Sequence, residues 1–313
     1  MLALLFPGQG SQVVGMGRDV CEVSPAARAV FERADATLGL PLSRLCFDGP
    51  EEELRRTEIQ QPALLTTSIA LLRALEAELP LAPAFLLGHS LGEYSALVAA
   101  GALGFEDAVA LVHARGRFMQ EAVPPGKGAM AAILGIGVDA VAEACRTAAA
   151  ETGAVVAPAN LNTPEQTVIA GEAAAVARAS ALAKAAGAKR AVALAVSAPF
   201  HCALMQPAAE KLSGELARVR FAAPDPPVLS NVEAEPIRDA ARIPVLLARQ
   251  VTAPVRFVEC VRRLAALGVR RVIEVGPGGV LGGLVARIER GLSRASAGSL
   301  AELRALVADA SQA

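Results

Sequence analysis

A short apolar run at residues 84–87 is followed directly by the pentapeptide GHSLG at 88–92 and then by a helical segment at 93–102. A continuous apolar run of this length is typical of a strand buried on both faces of a sheet. A serine on a sharp strand-to-helix turn is lifted out of the sheet, and glycines let the backbone turn without side-chain clashes. The pattern therefore predicts a nucleophile elbow at Ser90. An ordinary turn in which Ser90 only caps the helix would show the same residues.

The succession of strand, turn and helix recurs in the rest of the chain. Residues 2–6 form an apolar run that ends at a glycine-rich turn, and residues 271–275 are predicted to form another buried strand that leads into such a turn. Residues 63–79 have helical spacing, and a last helix at 299–309 begins with the capping box S-x-x-E. Strands that alternate with helices in this way predict an α/β fold with a largely parallel sheet.

A second unit is predicted after the proline- and glycine-rich turn at residues 124–126. Its elements follow the order β-α-β-β-α-β, which is that of the ferredoxin-like unit. The predicted strands are 129–136, 154–158, 166–170 and 189–197, and the predicted helices are 138–150 and 172–186. We therefore expect a small subdomain at residues 127–197, inserted into a larger domain made of residues 1–126 and 198–313.

The composition excludes several classes of protein. Lys and Arg number 30 against 31 Asp and Glu, and there are nine Phe, one Tyr and no Trp, so the chain lacks the basic surplus and the stacking aromatics of a nucleic-acid binder. Although 53% of residues are hydrophobic, no apolar run approaches 18 residues, which argues against a membrane span. The five cysteines form no C-x-x-C pair, and three histidines are too few for a histidine-built metal site. The N-terminal segment MLALLFPGQG has no positively charged leader and only a six-residue apolar run, which is not typical of a signal peptide, so we expect a cytoplasmic protein without a metal.

A serine nucleophile needs a base at neutral pH, and the sequence offers three histidines. His89 is adjacent to Ser90, and because successive side chains diverge on a sharp turn we expect it to pack beside the turn. His113 lies in an apolar helical stretch and is expected to be an ordinary helix residue. His201 lies in a loop that leaves a strand, where catalytic side chains are usually presented, so elimination favours it as the base. No aspartate lies near it in sequence; a distant one or a backbone carbonyl could hold its tautomer.

Three other signals have a structural explanation beside a chemical one. Cys202 follows the candidate base, but buried thiols are common and we expect a structural residue. The GPGG turn at 276–279 has the wrong spacing for a dinucleotide loop and predicts a tight packing turn. Arg115 and Arg117 are either solvated helix residues or, if buried at a pocket wall, a clamp for a carboxylate.

Several segments taken together resemble the malonyl-CoA:acyl-carrier-protein transacylase family, the acyltransferases of fatty-acid and polyketide synthesis. They span nearly the whole chain in the order found in the family. The matching segments are FPGQGSQ at 6–12, QPALLTTSIALL at 61–72, GHSLGEYSALVAAGAL at 88–103, RGRFMQEAVPPGKGAM at 115–130, NLNTPEQTVIAG at 160–171, APFHCALM at 198–205, RQVTAPVRF at 249–257 and EVGPGGVLGGL at 274–284. The resemblance implies a large α/β-hydrolase-like domain with an inserted ferredoxin-like subdomain, which agrees with the predicted elements.

The resemblance also implies a role for each matching position of the site. Ser90 matches the family's nucleophile, and His201 matches its base. The backbone N–H groups of Gln9 and Leu91 match the oxyanion hole. Arg115 matches the arginine that binds the free carboxylate of the malonyl group.

Two further positions are assigned by resemblance alone. Gln250 lies in the segment whose backbone carbonyl orients the histidine, which would explain the missing aspartate. Phe200 is the residue type that modular acyltransferases associate with malonyl over methylmalonyl. Many discrete bacterial members have serine at this place, so the chain departs from them there. An aromatic ring would crowd an α-methyl branch, although one methyl group contributes only roughly 1–3 kcal/mol to discrimination.

The reaction implied by the resemblance is ping-pong acyl transfer. A malonyl group passes from malonyl-CoA to the serine and then to the phosphopantetheine thiol of holo acyl carrier protein, with no bound cofactor. The expected partners are these two substrates, and we expect a monomer that contacts neither nucleic acid nor membrane.

Two competing functions are a serine hydrolase or thioesterase that uses water as the acceptor, and an inactive scaffold that only binds carrier protein. An α/β-hydrolase has its histidine close to the C-terminus, whereas more than about a hundred residues follow His201 here. The presence of both Ser90 and His201 gives no support to an inactive scaffold.

Overall fold

The computed structural model describes residues 1–196 and 198–310. The strands are β1 (Leu2–Phe6), β2 (Pro83–Gly88), β3 (Gly128–Leu134), β4 (Val156–Thr163), β5 (Gln166–Glu172), β6 (Arg190–Ala193), β7 (Val228–Leu229), β8 (Pro236–Ile237), β9 (Arg271–Val275) and β10 (Ser293–Ala297). The helices are α1 (Arg18–Val23), α2 (Pro25–Leu38), α3 (Leu42–Asp48), α4 (Glu51–Leu54), α5 (Thr57–Glu78), α6 (Gly92–Ala99), α7 (Phe105–Glu121), α8 (Val138–Thr152), α9 (Ala173–Ala185), α10 (Gln206–Leu216), α11 (Ile243–Thr252), α12 (Phe257–Ala266), α13 (Val280–Ile288) and α14 (Leu300–Ala310).

The larger sheet has the strand order β10-β9-β1-β2-β7-β8 and is parallel except for β8, which pairs antiparallel with β7. The predicted strands at 2–6 and 271–275 are confirmed as β1 and β9. Helices cover both faces, because Leu4 and Phe6 of β1 belong to one core cluster while Ala3 and Leu5 belong to another. The predicted α/β class with a largely parallel sheet is therefore confirmed.

The ends of β1 and β2 bring two turns together at one edge of this sheet. Phe6 pairs with Gly88, so the turn after β1 lies against the turn that leads into α6. A Cβ atom at Gly92 would lie 2.0 Å from the main-chain oxygen of Phe6, and one at Gly8 would lie 2.4 Å from that of His89. Only glycine allows two main chains to approach this closely. These contacts fix where the side chains of both turns are presented.

The smaller sheet is antiparallel, with the order β4-β5-β3-β6, and α8 and α9 share a core cluster with it. Its elements follow one another as β-α-β-β-α-β. The predicted last strand at 189–197 is too long: β6 ends at Ala193, where its pairing with β3 ends, and Ser197 lies outside the described residues. Two main-chain hydrogen bonds join β4 to the segment before α12, from the Leu161 N–H to the Val255 oxygen (2.9 Å) and from the Val255 N–H to the Ala159 oxygen (2.9 Å).

Helix α5 runs through the centre of the larger domain and begins six residues before the predicted start at 63. Pro62 lies inside it, near the N-terminus, where a missing N–H removes only one helical hydrogen bond. The early turns matter because they carry Gln60 and Gln61 into the interior. Nothing in the described part of the chain is both long and apolar enough to act as a membrane-crossing helix.

Helix α7 packs closely against the start of α5, and Gly116 makes this contact possible. A Cβ atom at Gly116 would lie 2.5 Å from the main-chain oxygen of Thr57 and 2.7 Å from the Cα of Glu58. Gly214 in α10 is a matched helical glycine with nothing within 4 Å of the corresponding position.

We expect Gly116→Ala to lower the free energy of unfolding by about 1–3 kcal/mol, because the helices must separate to admit the methyl group. Gly214→Ala should raise it by about 0.5–1 kcal/mol, since alanine is the better helix former and meets no neighbour. Urea unfolding followed by circular dichroism measures both values. Equal stabilities of the two variants would contradict the close packing of α5 and α7.

Candidate active site

Ser90 lies on the turn between β2 and α6 and has a left-handed backbone conformation, with φ 52°. Its N–H donates to Oδ1 of Asn231 (2.7 Å), and Nδ2 of Asn231 donates to the main-chain oxygen of Gly88 (2.7 Å). The side chain of Asn231 therefore forms hydrogen bonds with two positions of the turn and stabilises its conformation. Such conformations cost about 1–3 kcal/mol in a non-glycine residue and persist only where surrounding contacts hold them. The predicted sharp turn at Ser90 is confirmed.

His201 lies in the loop between β6 and α10 and forms a hydrogen bond between its Nε2 and Ser90 Oγ (2.7 Å). Its Nδ1 is 2.7 Å from the main-chain oxygen of Gln250. A carbonyl oxygen only accepts, so Nδ1 carries the proton and Nε2 is left to accept the Ser90 hydroxyl proton. Burial, with the nearby charge of Arg115, lowers the pKa of His201 to about 3. The imidazole is therefore neutral and able to accept a proton at physiological pH.

Arg115 of α7 is fully buried. Its Nη1 donates to Oε1 of Gln61 (2.6 Å), and its Nη2 donates to Ser90 Oγ (3.1 Å) and to Oε1 of Gln250 (3.0 Å). Burial lowers the pKa of Arg115, but a guanidinium keeps its proton in proteins. Arg117, two residues later, is exposed and pairs with Glu121. The sequence left both arginines open; only Arg115 reaches the site.

Gln250, in α11, contacts every other member of this group. Its main-chain oxygen accepts from His201, and its side-chain oxygen accepts from Arg115. Its Nε2 lies 3.0 Å from the main-chain oxygen of Ser90 and 2.7 Å from Oε2 of Glu93. The resemblance had implied only the backbone contact. The amide adds a direct connection between the arginine, the serine turn and a buried carboxyl group.

Three buried residues of the site were not identified from the sequence: Glu93, Asn231 and Gln61. Glu93 is fully buried, and its Oε2 accepts from the main-chain N–H of Asn231 (3.1 Å) as well as from Gln250. Burial raises the pKa of Glu93 to about 7. An acidic residue in the first turn of a helix is ordinary, so its position in α6 gave no signal. Asn231 and Gln61 lie in no local pattern that distinguishes them from other amides.

The turns after β1 and β2 border a cleft of about 430 Å³. Its wall includes Gln9, Ser90, Phe200 and His201, together with Met130 and Asn160 from the smaller sheet. Within the described residues, the main-chain N–H groups of Gln9 and Leu91 donate to no protein acceptor. Leu91 directly precedes α6, so its N–H is one of the donors that a helix N-terminus leaves free.

The predictions that His89, His113 and Cys202 have structural positions are confirmed. His89 turns away from Ser90: its Nε2 is 2.9 Å from Oδ1 of Asn162 and its ring packs on Phe257. His113 is a half-buried residue of α7. Cys202 is buried, its Sγ donates to the Pro199 oxygen (3.0 Å), and burial raises its pKa to about 11.

The GPGG turn at 276–279 packs against the first turn of the chain. A Cβ atom at Gly276 would lie 2.5 Å from Cγ of Pro7. The turn is a packing element, as expected. Over residues 1–196 and 198–310, no three His, Cys, Asp or Glu side chains gather where they could hold a metal ion. The five cysteines are unpaired and buried.

The arrangement has the parts that acyl transfer through a serine requires. A neutral imidazole can take the Ser90 proton, and a guanidinium lies 3.1 Å from the same oxygen. The free N–H group of Gln9 borders the cleft, and that of Leu91 directly follows Ser90, so both lie near the place where an oxyanion would develop.

Comparison with known proteins agrees with this chemistry. Residues 3–308 match the family described as acyl transferase domain. The malonyl CoA-acyl carrier protein transacylase of Escherichia coli (strain K12) is 53% identical over 286 residues, which cover 91% of this chain and 92% of the relative. The transacylase of the same name from Bacillus subtilis (strain 168) is 53% identical over 291 residues, covering 93% and 91%.

Solved structures of similar proteins superpose closely on this chain. An acyl carrier protein S-malonyltransferase from Vibrio cholerae superposes with a TM-score of 0.95 at 48% identity, covering 97% of this chain and 99% of that one. A malonyl-transacylase solved in complex with its type II PKS acyl-carrier protein gives a TM-score of 0.95 at 46% identity, covering 98% and 99%. The chain therefore belongs to the acyl transferase domain family and, within it, to the malonyl-CoA–acyl carrier protein transacylases.

Proposed function

We propose that this chain transfers a malonyl group from malonyl-CoA to the phosphopantetheine thiol of acyl carrier protein through a malonyl ester on Ser90. The observation that carries the proposal is the 2.7 Å hydrogen bond between Ser90 Oγ and His201 Nε2, with Nδ1 anchored on the Gln250 oxygen. The names of the curated relatives state the same substrates. Coenzyme A thioester and phosphopantetheine enter as substrates, and no resident cofactor is needed.

In the first half-reaction, Ser90 Oγ attacks the thioester carbonyl while its proton passes to His201 Nε2. The N–H groups of Gln9 and Leu91 stabilise the tetrahedral oxyanion, and the start of α6 adds its partial positive charge. The C–S bond then breaks, and the imidazolium returns the proton to the departing thiolate of coenzyme A. The products are the malonyl-serine ester and free coenzyme A.

In the second half-reaction, the phosphopantetheine thiol takes the place of coenzyme A. His201 accepts the thiol proton, the sulfur attacks the ester carbonyl, and the same two N–H groups hold the oxyanion. The C–O bond to Ser90 breaks, and the histidine returns the proton to the serine oxygen. The free enzyme is restored with its hydrogen bond between Ser90 and His201.

Arg115 selects acyl groups that carry a free carboxylate. Its hydrogen-bond partners are the neutral oxygens of Gln61, Gln250 and Ser90, although the guanidinium is fully buried. A carboxylate is a better partner for a desolvated guanidinium than any of these, because both charges are then compensated. An acetyl group has no carboxylate and would leave the cation without this partner.

Phe200 limits the space available beside the acyl group. It directly precedes His201, is buried, and forms part of the cleft wall. Its ring restricts the space for an α-methyl branch, which favours malonyl over methylmalonyl.

Transfer is favoured over hydrolysis by the family to which the chain belongs. The place of the histidine argues in the same direction, because His201 precedes α10 to α14, whereas an α/β-hydrolase has its histidine near the C-terminus.

The same proposal includes the finer organisation of the chain. The larger unit is α/β-hydrolase-like and comprises residues 1–126 and 198–313, and the smaller unit at 127–197 is ferredoxin-like. The order β4-β5-β3-β6 and the β-α-β-β-α-β succession support the second description. Five unpaired, buried cysteines are consistent with a reducing cytoplasm.

Intact mass spectrometry after incubation with malonyl-CoA tests the proposed intermediate. We expect a malonyl adduct in the wild type that holo acyl carrier protein removes, and no adduct in Ser90→Ala. Ser95→Ala is the matched control: Ser95 is a buried serine of α6, the helix that follows Ser90, its Oγ has no partner among the described residues, and its loss should leave the adduct intact. A wild type without adduct in quenched samples contradicts the proposal, and fast release of free malonate with slow transfer would favour the hydrolase.

Arg115→Ala tests the carboxylate clamp. We expect kcat/KM for malonyl transfer to fall by about 30- to 5000-fold, the equivalent of the roughly 2–5 kcal/mol lost when a buried charge pair loses one partner. Acetyl transfer should fall much less. Arg117→Ala, on the same helix but exposed, is the control and should change neither rate. Equal losses for malonyl and acetyl transfer would remove the clamp role.

Phe200→Ala tests acyl selectivity by competition between malonyl-CoA and methylmalonyl-CoA. We expect the ratio of the two kcat/KM values to shift toward methylmalonyl by about 10- to 200-fold, the usual effect of one methyl group in an apolar pocket. Phe47→Ala changes a partly buried ring outside the cleft wall and should leave the ratio unchanged. An unchanged ratio in Phe200→Ala would exclude the ring as a selectivity element.

A further inference from the structure

Glu93 is a fully buried carboxyl group that takes part in none of the steps of the proposed transfer mechanism. Its Oε2 accepts from Gln250 Nε2 (2.7 Å) and from the Asn231 N–H (3.1 Å). Its Oε1 has no hydrogen-bond partner among residues 1–196 and 198–310. A buried carboxyl group with one unpartnered oxygen is costly to maintain, so a compensating interaction is expected.

The Gln250 amide connects this carboxyl group to Arg115. Its nitrogen donates to Glu93, and its oxygen accepts from Arg115 Nη2 at 3.0 Å. The amide dipole therefore points its positive end at the carboxylate and its negative end at the guanidinium. Opposite charges joined by one polarised amide stabilise each other in a low-dielectric interior.

Within residues 1–196 and 198–310, the acidic groups that act on the charge of Arg115 are Tyr94 and Glu93. Burial raises the pKa of Tyr94 to about 12, so the phenol is neutral. Of these two groups, only Glu93 can therefore supply a negative charge to the buried arginine near neutral pH.

We propose that Glu93 is the counter-charge of Arg115 in the free enzyme and that it competes with the carboxylate of the incoming acyl group for this arginine. The inference rests on the proposed function, in which Arg115 binds the malonyl carboxylate. Once that carboxylate is bound, two negative groups share one guanidinium in a buried site. Glu93 then takes up one proton from solvent, carried on Oε1, the oxygen that accepts no hydrogen bond from the described residues. Glu93 is a positioning residue, since it acts on the substrate through Gln250 and Arg115.

Of Glu93 and the titratable groups that face it, only Glu93 changes its protonation state near neutral pH. Arg115 on α7 stays protonated, and burial raises the pKa of Cys260 on α12 well above its usual value, so the thiol stays neutral. Tyr94 on its own helix is neutral as well, and His201 beyond Gln250 has a pKa lowered to about 3. Burial raises the pKa of Glu93 itself to about 7.

The direction of the pH dependence follows from this. Below pH 7 Glu93 is already protonated, so a malonyl carboxylate binds Arg115 without competition from a second negative charge. Above pH 7 Glu93 is ionised in the free enzyme, so binding of malonyl requires proton uptake and weakens as the pH rises. When binding takes up a single proton, the affinity for malonyl falls by at most about tenfold for each pH unit. An acetyl group has no carboxylate to compete with Glu93 for Arg115, so its binding affinity should not weaken as the pH rises.

The test is the pH profile of KM and kcat for the full-length enzyme with malonyl-CoA and acetyl-CoA between pH 6 and pH 9. We expect KM for malonyl-CoA to rise several-fold above pH 7 relative to KM for acetyl-CoA, with little change in kcat. Glu93→Gln should abolish the rise, because an amide oxygen still accepts both N–H groups but carries no charge. Glu274→Gln is the matched control: Glu274 is also buried, burial raises its pKa, and it accepts from Gly282 at the start of α13 instead. This variant should keep the wild-type profile.

The outcomes separate this inference from the proposed function. A wild-type KM ratio that does not vary with pH, or a Glu93→Gln enzyme that keeps the wild-type rise, overturns the role of Glu93 while leaving the Ser90 intermediate intact. Absence of the malonyl adduct at every pH overturns the proposed function instead. If Glu93→Gln does not fold, proton uptake in weakly buffered wild-type enzyme decides: near pH 7.5, malonyl loading should take up more protons than acetyl loading, and equal uptake refutes the inference.

Discussion

A fully buried glutamine holds the reactive groups of this enzyme in one arrangement. Gln250 uses its main-chain oxygen for His201, its side-chain oxygen for Arg115 and its side-chain nitrogen for Glu93 and the Ser90 turn. Because a buried amide must satisfy its donors and acceptors, each contact constrains the others. Movement of the arginine would therefore disturb the histidine. The carboxylate that usually holds a catalytic histidine is replaced here by a peptide oxygen, so the group bonded to Nδ1 carries no full negative charge that would stabilise the imidazolium.

In the proposed reaction Arg115 acts on the base as well as on the substrate. Its positive charge is, after burial, the largest cause that lowers the pKa of His201. Where Glu93 is already protonated, a malonyl carboxylate bound to the guanidinium would cancel much of this charge and make the imidazole a stronger base. An acetyl group would not have this effect, so selectivity for a free carboxylate would extend from binding to the chemical step.

The sequence predicted those parts of the structure that local patterns determine. The strands predicted at 2–6 and 271–275 are present with the same bounds, since a strand buried on both faces is built mainly from apolar residues. Strand β10 is polar and β7 and β8 have two residues each, so none of them shows a period. Ser90 and His201 meet across 111 residues and were paired by elimination among three histidines. Glu93 and Asn231 matter only because segments 138 residues apart touch, and no local signal reports such a contact.

Backbone strain marks the segments that converge on the site. Among the described residues, the non-glycine positions with positive φ are Ser90, His201 and Ala234. The first two are the nucleophile and base of the proposed mechanism, and the third belongs to the turn after β7 that carries Asn231, where the Ala234 N–H donates to the Ser230 oxygen at 2.8 Å. Each such conformation costs about 1–3 kcal/mol and needs contacts that hold it. Those contacts come from the partner segments: Asn231 fixes the Ser90 turn, and the Gln250 carbonyl fixes the His201 ring. The strained residues therefore keep their geometry only when all these segments are in place, which ties the reactive arrangement to the complete fold.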